Sequence, residues 1–417
     1  MSNAECRMKK SVEDIDVRSM RVLVRLDLNV PLDDDRKVAD DTRIRAALPT
    51  VRRLIEGGGR VILMSHLGRP KGTPDDRVNF SLAPVALRLS ELLGRRVTFV
   101  RDWSAPELRA AVNSLADGDV CLLENLRFNE GETIKDKAAA ENPKLRQEKE
   151  GFAGKLAEMA DVYVNDAFGT CHRDNASMLT VPRLMAGRPR VVGCLVQKEL
   201  EFLGRAVSDP KRPFICVLGG VKVSDKIGVI ENMLDKCDRV LIGGAMMFTF
   251  AAAEGKQVGK SLVEPDSYET ARSLLAKADD KLRLPIDCIA AERIEEGVDT
   301  QVCKDEVPEG LMGLDIGPET ISAYLDVLGS ANTVVWNGPM GVFETPPFDR
   351  GTLAVAGALA DATARGAVTI IGGGDSAAAV AKAGLSDKMT HISTGGGASL
   401  EFLEGKPFAA LEVLDEA

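Results

Sequence analysis

Gly372-Gly373-Gly374-Asp375-Ser376-Ala377 has the composition of an anion site. It follows the apolar run Ala367–Ile371 and precedes Ala378-Ala379-Val380-Ala381-Lys382. A strand, a glycine turn and a helix start leave backbone N–H groups pointing at a negative ligand. The same letters also fit Gly-x-Gly-x-x-Ala, so a phosphorylated nucleotide and a dinucleotide compete for this stretch. Asp375 could hold Mg2+ on a nucleotide or simply cap the helix.

A second glycine-rich stretch, Gly219-Gly220-Val221-Lys222-Val223-Ser224-Asp225-Lys226, precedes a run with Ile227, Ile230, Met233 and Leu234 at helical spacing. Ser224 reads as its N-cap. Lysines at a helix start oppose the dipole by roughly 0.3–1 kcal/mol each. On a surface that cost is tolerable; with a polyphosphate between Lys222 and Lys226 it reverses. Gly313–Pro318 and Val335–Glu344 add further glycines and prolines, the latter around Asn337, as though main chain itself formed a surface.

The first half of the chain carries a different chemistry. Asp27 and Asn29 follow one apolar run, and Ser65-His66-Leu67-Gly68-Arg69-Pro70 a second. Glu124–Phe128, with Arg127, follows another, and Asn165–Arg173 a further one; Arg43 lies near a helix start. Guanidinium forks suit phosphate and carboxylate, and several together repel unless an anion sits among them. Any one arginine is as readily a surface residue or a partner of Asp27, Glu124 or Asp166. Four of them with His66 at successive strand ends favour a small phosphorylated acid.

The elements that must position these residues are legible as alternating β-like and helical runs. Strands are expected at Arg21–Leu26, Val61–Met64, Val97–Val100, Val120–Leu123 and Val162–Val164. Helices are expected at Asp41–Ile55, Leu82–Leu93, after Pro106 and at Gln147–Met159, with Lys135–Lys149 as a polar surface insertion. Such alternation implies parallel sheets covered by helices. Pro182–Arg190 reads as a boundary and Val192–Leu203 as a connecting helix. A second βα series follows, with strands at Pro213–Leu218, Val240–Ile242, Ile286–Ala290, Thr333–Trp336, Ala367–Ile371 and Met389–Ser393; Ala398–Ala417 is a short helix and tail. The expected fold class is α/β, two Rossmann-like domains with parallel sheets joined by a helical hinge. Ligands of such sheets bind beyond the carboxyl ends of the strands, where the residues above fall.

Composition narrows the alternatives. The 417 residues are 45% hydrophobic and 28% charged, with a net charge of −10 and 4% aromatics, which argues against nucleic-acid or anionic-membrane binding. No apolar run approaches the roughly 18 residues of a membrane span, and Met1–Glu5 lacks a signal peptide's apolar region. Eight scattered cysteines without Cys-x-x-Cys suggest neither a disulfide framework nor a zinc site, and a reducing cytoplasm is expected.

Three other leads weaken on inspection. A dinucleotide site needs an acid after the next strand to hold a ribose, but Met389–Ser393 runs into Thr394-Gly395-Gly396-Gly397. Gly255–Ser261 is one residue short of a P-loop and follows an alanine-rich helix. His172-Arg173-Asp174 lacks the asparagine of a protein-kinase catalytic loop, Leu179 standing there. A dehydrogenase and a non-catalytic phosphate-binding protein remain the rival readings.

Arg25–Pro31, Ser65–Pro70, Glu124–Phe128, Asn165–Arg173, Gly219–Lys226, Val335–Glu344, Gly372–Ser376 and Thr394–Leu400, in order and across nearly the whole chain, resemble the phosphoglycerate kinase family. The resemblance implies reversible phosphoryl transfer from 1,3-bisphosphoglycerate to MgADP, giving 3-phosphoglycerate and MgATP. By that likeness residues 1–186 bind 3-phosphoglycerate, 187–204 form a hinge, 205–397 bind nucleotide and 398–417 return to the first domain. Asp27, Asn29, Arg43, His66, Arg69, Arg127 and Arg173 are similar to the family's substrate residues. Lys222, Lys226, Gly313, Asn337, Glu344, Gly373, Gly374, Asp375 and Ser376 are similar to its nucleotide positions, with Glu344 toward the ribose and Asp375 toward Mg2+. Arg43, Lys222 and Lys226 are the catalytic candidates, as charges that neutralise the moving phosphoryl group. A cytoplasmic monomer whose domains close during turnover is implied, with Thr394–Gly397 a second hinge candidate. Departures from the family pattern are Val221 for alanine, Ala245 for glycine, Asn175 for a second histidine, and Lys406–Ala410 in place of Leu-Pro-Gly.

Overall fold

The computed structural model describes residues 9–102 and 105–417, and the side chains of all of these but Ala105. Cys6 and the first residues of the chain, on which the signal-peptide reading rests, lie outside that range. The chain forms two units, residues 1–201 with 407–417, and residues 202–406. It passes from the first to the second within the helical stretch Leu200–Gly204, and back between Lys406 and Pro407.

In the first unit six strands, β1 (Arg21–Leu26), β2 (Arg60–Met64), β3 (Thr98–Val100), β4 (Val120–Leu123), β5 (Val162–Asp166) and β6 (Arg190–Val192), form one sheet in the order β3-β4-β2-β1-β5-β6. Every neighbouring pair is parallel. The central strands are near-continuous apolar runs because both faces are covered by helices. On one face the helix Thr42–Glu56 buries Ile44, Ala47, Leu48, Val51 and Leu54 and so fixes Arg43 on its first turn. β6 falls where the sequence suggested only a boundary and connector; three residues are too short for a periodicity signal. Likewise the expected surface insertion at 135–149 is helical, Asp136–Glu141 and Pro143–Ala157, and Lys149 is buried there on Asp136 and the carbonyl of Asp174.

The second unit holds β7 (Phe214–Leu218), β8 (Arg239–Ile242), β9 (Leu282–Arg283), β10 (Asp287–Ala291), β11 (Gln301–Lys304), β12 (Met312–Ile316), β13 (Thr333–Asn337), β14 (Val368–Gly372) and β15 (His391–Ile392). Six of these make a parallel sheet in the order β15-β14-β13-β7-β8-β9. The strand expected at Ile286–Ala290 is not part of it. It is β10, the centre of a separate antiparallel sheet β11-β10-β12. Its partner β11 is edge-exposed and carries no apolar run that a sequence scan could find.

In both parallel sheets the strand order turns back beside the first strand of the unit, between β1 and β5 and between β7 and β13. That is where open α/β sheets form a ligand crevice. Residues 397–406 stay with the second unit, where the Leu403 carbonyl accepts from Asn232 Nδ2 at 2.6 Å. The last residues dock on the first unit, with Arg190 Nη2 and Asp415 Oδ1 2.8 Å apart and the rings of Phe408 and Phe168 6.2 Å apart.

Candidate active site

Hydrogen bonds knit the loops after β1, β2 and β4 into one surface. Leu28 N donates to Ser65 Oγ (2.8 Å), Gly68 N to Asn29 Oδ1 (2.8 Å), and Leu67 N to Asn125 Oδ1 (3.2 Å). Asn125 Oδ1 also accepts from Arg127 N at 3.0 Å, and Arg127 Nη1 donates to the Gly68 carbonyl. Asn29 is therefore first a brace for the β2 loop. Arg43 Nη1 donates to Asp27 Oδ2 and to the Asn29 carbonyl, both at 3.1 Å.

The predicted cations converge. Arg127, Arg173 and Arg43, joined by Arg25, which was not among them, all act electrostatically on His66, which is 3% exposed. Burial, then these four charges, push the His66 pKa well below its ordinary value, so the ring is neutral at pH 7 and adds no charge to the cluster. Arg127 is pulled down to about 10, chiefly by burial and then by Arg173 and Arg25, and Arg69 bears on it too. At that value it remains cationic at neutral pH. Burial also lowers Arg173, which Asp27 partly offsets. Arg69 is exposed at the rim.

Three acids could have neutralised this set. Only Asp27 does. Glu124 accepts from Ser81 Oγ, Leu82 N and Asn125 N, all at 2.8 Å, at the start of the helix Ala83–Leu93. Asp166 accepts from Leu195 N (2.8 Å) and Val196 N (3.2 Å) at the start of the helix Cys194–Glu199. Arg43, Arg69, Arg127 and Arg173 thus outnumber the carboxylates that bear on them, Asp27 at the surface and the buried Glu132, as guanidiniums do around an anion.

Beneath them lies a chain that sequence reasoning missed. Arg25, 1% exposed, donates from Nε to Ser177 Oγ (2.9 Å), and Ser177 Oγ donates to Glu132 Oε1 (2.7 Å). Ser177 N adds a bond to Glu132 Oε2 (2.9 Å). Burial raises the Glu132 carboxyl despite the attraction of Arg25. An arginine within the apolar run of β1 was the available signal; nothing in the sequence pointed to Glu132. Asn175, the departure from histidine, donates from Nδ2 to the Glu132 carbonyl at 3.0 Å and so supports this chain without a charge.

At the strand ends of the second unit main chain meets main chain. Gly219 N donates to the Asn337 carbonyl (3.0 Å), Gly220 N to that of Pro339 (3.1 Å) and Gly244 N to that of Met340 (2.8 Å). Gly338 has φ +98°, and a Cβ there would sit 2.2 Å from the Gly219 oxygen. No side chain fits. Lys226 Nζ donates to Asn337 Oδ1, and Gly338 N to Ser376 Oγ at 2.7 Å, so Lys226, Asn337, Gly338 and Ser376 are brought together. Burial lowers the Lys226 ammonium against the attraction of Cys216, Asp225, Asp375 and Glu404. The helix Gly374–Lys382 begins at Gly373, with Asp375 exposed in its first turn.

Other expectations are placed differently. Ser224 does not cap the helix Ile227–Lys236. Its N and Oγ both donate to Glu264, at 3.0 and 2.6 Å, and Lys226 itself occupies the cap position. Lys222 is exposed several residues before that helix, too far to oppose its dipole, and so is Val221. Ala245 stands at the start of the helix Met246–Ala253. Glu344 is exposed in the loop after β13. Gly313 lies in β12, where a Cβ would fall 1.9 Å from the Phe248 ring, so its immediate role is to admit that ring. Among the described residues no group of three or more His, Cys, Asp or Glu side chains could hold a metal. A lone Asp375 therefore suits an ion that arrives on phosphate oxygens, as Mg2+ does.

One unit thus carries arginines in excess of carboxylates, and the other a glycine-lined helix start with a half-buried lysine, which are charges that an enzyme of the kinase class requires. The phosphoglycerate kinase family model matches residues 12–406, and the chain belongs to that family. It is 55% identical over 412 residues to phosphoglycerate kinase of Rhodopirellula baltica, covering 98% of this chain and 100% of the relative. To the Thermosipho africanus enzyme it is 52% identical over 403 residues, covering 95% and 96%. The fold matches solved phosphoglycerate kinases from Coxiella burnetii (TM-score 0.84, 39% identity, 97% and 98% covered) and Pyrococcus horikoshii (0.80, 33%, 97% and 98%).

Proposed function

We propose that the arginine surface of the first unit binds 3-phosphoglycerate and 1,3-bisphosphoglycerate, and that the strand ends of the second hold ADP or ATP with Mg2+. The family's glycolytic phosphoryl transfer is the chain's reaction. The observation that carries the assignment of substrates is the excess of guanidinium over carboxylate around a neutral, buried His66.

Such transfer needs little covalent help; it needs in-line positioning and neutralised charge. Arg127, Arg173 and Arg69 supply forks for phosphate and carboxylate, while Asp27 and Asn29 orient Arg43. Lys226, held by Asn337, and Lys222 supply cations on the nucleotide side. Backbone N–H groups at Gly373, Gly374 and Ser376 face phosphate oxygens, Gly313 shapes the nucleotide side through Phe248, and Glu344 reaches the ribose. Mg2+, arriving with the nucleotide beside Asp375, neutralises phosphate charge when bound. No general base is required, because the attacking oxygen is already ionised. With substrates on separate units, turnover requires the units to approach, so we propose hinge-bending through residues 187–204 in a cytoplasmic monomer. Among the described residues no helix is long and apolar enough to cross a membrane.

A coupled assay for ATP consumption dependent on 3-phosphoglycerate and Mg2+ is the test. Turnover with both substrates is expected. Thermal stabilisation by NAD but not by MgADP, without turnover, would replace this reading with the dehydrogenase one.

A further inference from the structure

The small antiparallel sheet of the second unit brings two thiols together. Cys288 on β10 and Cys303 on β11 are directly opposed in register, so their side chains leave the same face. Directly opposed residues of antiparallel strands have Cα atoms about 4.5 or 5.5 Å apart. Either value falls within the roughly 4.4–6.8 Å that a disulfide accepts.

Access separates this pair from the other close pair, Cys216 and Cys237. Those two are 0% and 1% exposed, in the core beside the parallel sheet. Cys288 and Cys303, 6% and 5% exposed, both line a cavity of about 420 Å³ together with Phe248, Leu282, Pro285 and Val307. β11 is the edge strand, and the exposed Val302 and Lys304 lie on its other face, so Cys303 is reached through this cavity.

The two thiols are also unequal. Burial pushes Cys288 up to about 12, with Cys303 adding to the effect. Burial raises Cys303 as well, but a hydrogen bond with Cys288 pulls it back. The thiolate is the attacking species in exchange, so Cys303 is the entering thiol and Cys288 the resolving one.

We propose that Cys288 and Cys303 are a reversibly oxidised dithiol, a modification site served by low-molecular-weight disulfides. The Cys303 thiolate attacks one sulfur of the disulfide RSSR, forming Cys303–S–S–R and releasing RS⁻. The Cys288 thiolate then attacks the Cys303 sulfur, forming the Cys288–Cys303 bond and releasing the second RS⁻. The two thiol protons end on the two RSH molecules; the cysteines are oxidised by two electrons and RSSR is reduced.

The test equilibrates the full chain with glutathione buffers from fully reduced to fully oxidised, alkylates remaining thiols and digests with trypsin. Oxidation is expected to remove the alkylated peptides 284–293 and 294–304 and replace them with one cross-linked species that dithiothreitol reverses. C288S should leave Cys303 as a mixed disulfide with glutathione, and C303S should leave Cys288 unmodified. Recovery of both alkylated peptides at every ratio would overturn the proposal. So would equal cross-linking of Cys216 to Cys237, because access would then not select the pair.

Discussion

Around Arg43, Arg127 and Arg173 the first unit presents charged side chains on long stems, whereas around Gly219, Gly338 and Gly373 the second presents main chain. The first surface gets its shape from loops braced by Asn29 and Asn125, and its charge from guanidiniums placed upon them. In the second, the N–H groups of Gly219, Gly220, Gly244 and Gly338 are spent on bracing the touching loops, and the helix that starts at Gly374 offers the N–H groups of its first turn. Side chains on the first surface should therefore be removable one at a time without loss of fold, while the backbone of the second should not tolerate an added methyl. Charge in the first rests on a buried support, and charge in the second on one desolvated lysine.

The largest effect expected tests that support. Arg25→Met removes the cation at the head of the Arg25–Ser177–Glu132 chain and leaves the fully buried Glu132 carboxyl with its Ser177 donors but without its main positive neighbour. Breaking a buried charged pair costs about 3–5 kcal/mol, so urea denaturation should show that loss with an unchanged slope. A change under about 1 kcal/mol would mean that the arginine surface needs no charged foundation. Glu132→Gln, which keeps the acceptor for Ser177, should cost less.

Next come the two charges assigned to the moving phosphoryl group. Removal of a preorganised transition-state partner typically lowers turnover about 10²–10³-fold. Lys226→Ala and Arg43→Ala should each do so in the coupled assay with stability nearly kept, and with smaller changes in the KM for ADP and 3-phosphoglycerate respectively. A rise in KM with kcat unchanged would reduce both residues to ground-state binding groups. Arg69→Ala, at the exposed rim, should raise the KM for 3-phosphoglycerate and leave kcat near its original value.

Gly338→Ala carries the comparison to the main chain. The residue has φ +98° and its new Cβ would press on the Gly219 oxygen. Strain of this kind costs of order 1–3 kcal/mol, and it should appear as weaker MgADP binding by calorimetry with 3-phosphoglycerate binding unchanged. If nucleotide affinity survives the methyl, the touching loops are packing alone.

Legibility in the sequence followed the same division. Strand ends were readable because buried parallel strands are apolar runs and the residues after them are not; hence Asp27, His66, Arg127, Arg173 and the turn at 372–376 were all legible as strand-end residues. Convergence of the arginines followed from the parallel topology, which sends every strand's carboxyl end to one edge. Three things stayed hidden. The β10–β12 sheet was missed because β11 is exposed and polar, and β6 because it is three residues long. Glu132 and Ser177 were missed because their role depends on Arg25, which is far away in the chain. Ser224 failed as a cap because a tertiary partner, Glu264, outcompeted the local bond.

The smallest effect bears on a feature that the two units share. Each contains a buried aspartate beside its strand ends whose pKa burial raises and which accepts from two backbone N–H groups: Asp166 from Leu195 and Val196, Asp315 from Ile316 and Gly351. Burial pushes both up to about 7, from roughly 3.9 in an unfolded chain. Between those values the folded state holds the extra proton. The stability from each group is complete below about pH 4 and is lost as pH rises through about 7, at no more than about 1.4 kcal/mol per pH unit. His66 runs the other way, since its depressed pKa favours the folded state as pH rises toward 6.5. The wild-type curve is therefore a difference, and variants resolve it. Asp166→Asn keeps an acceptor for both N–H groups, which share one oxygen, and Asp315→Asn for one of its two; neither can titrate, so each should flatten the fall in stability between about pH 4 and 7, whatever its constant cost. If only one does, the other carboxyl is ionised in its unit and the symmetry between the two surfaces ends at their topology.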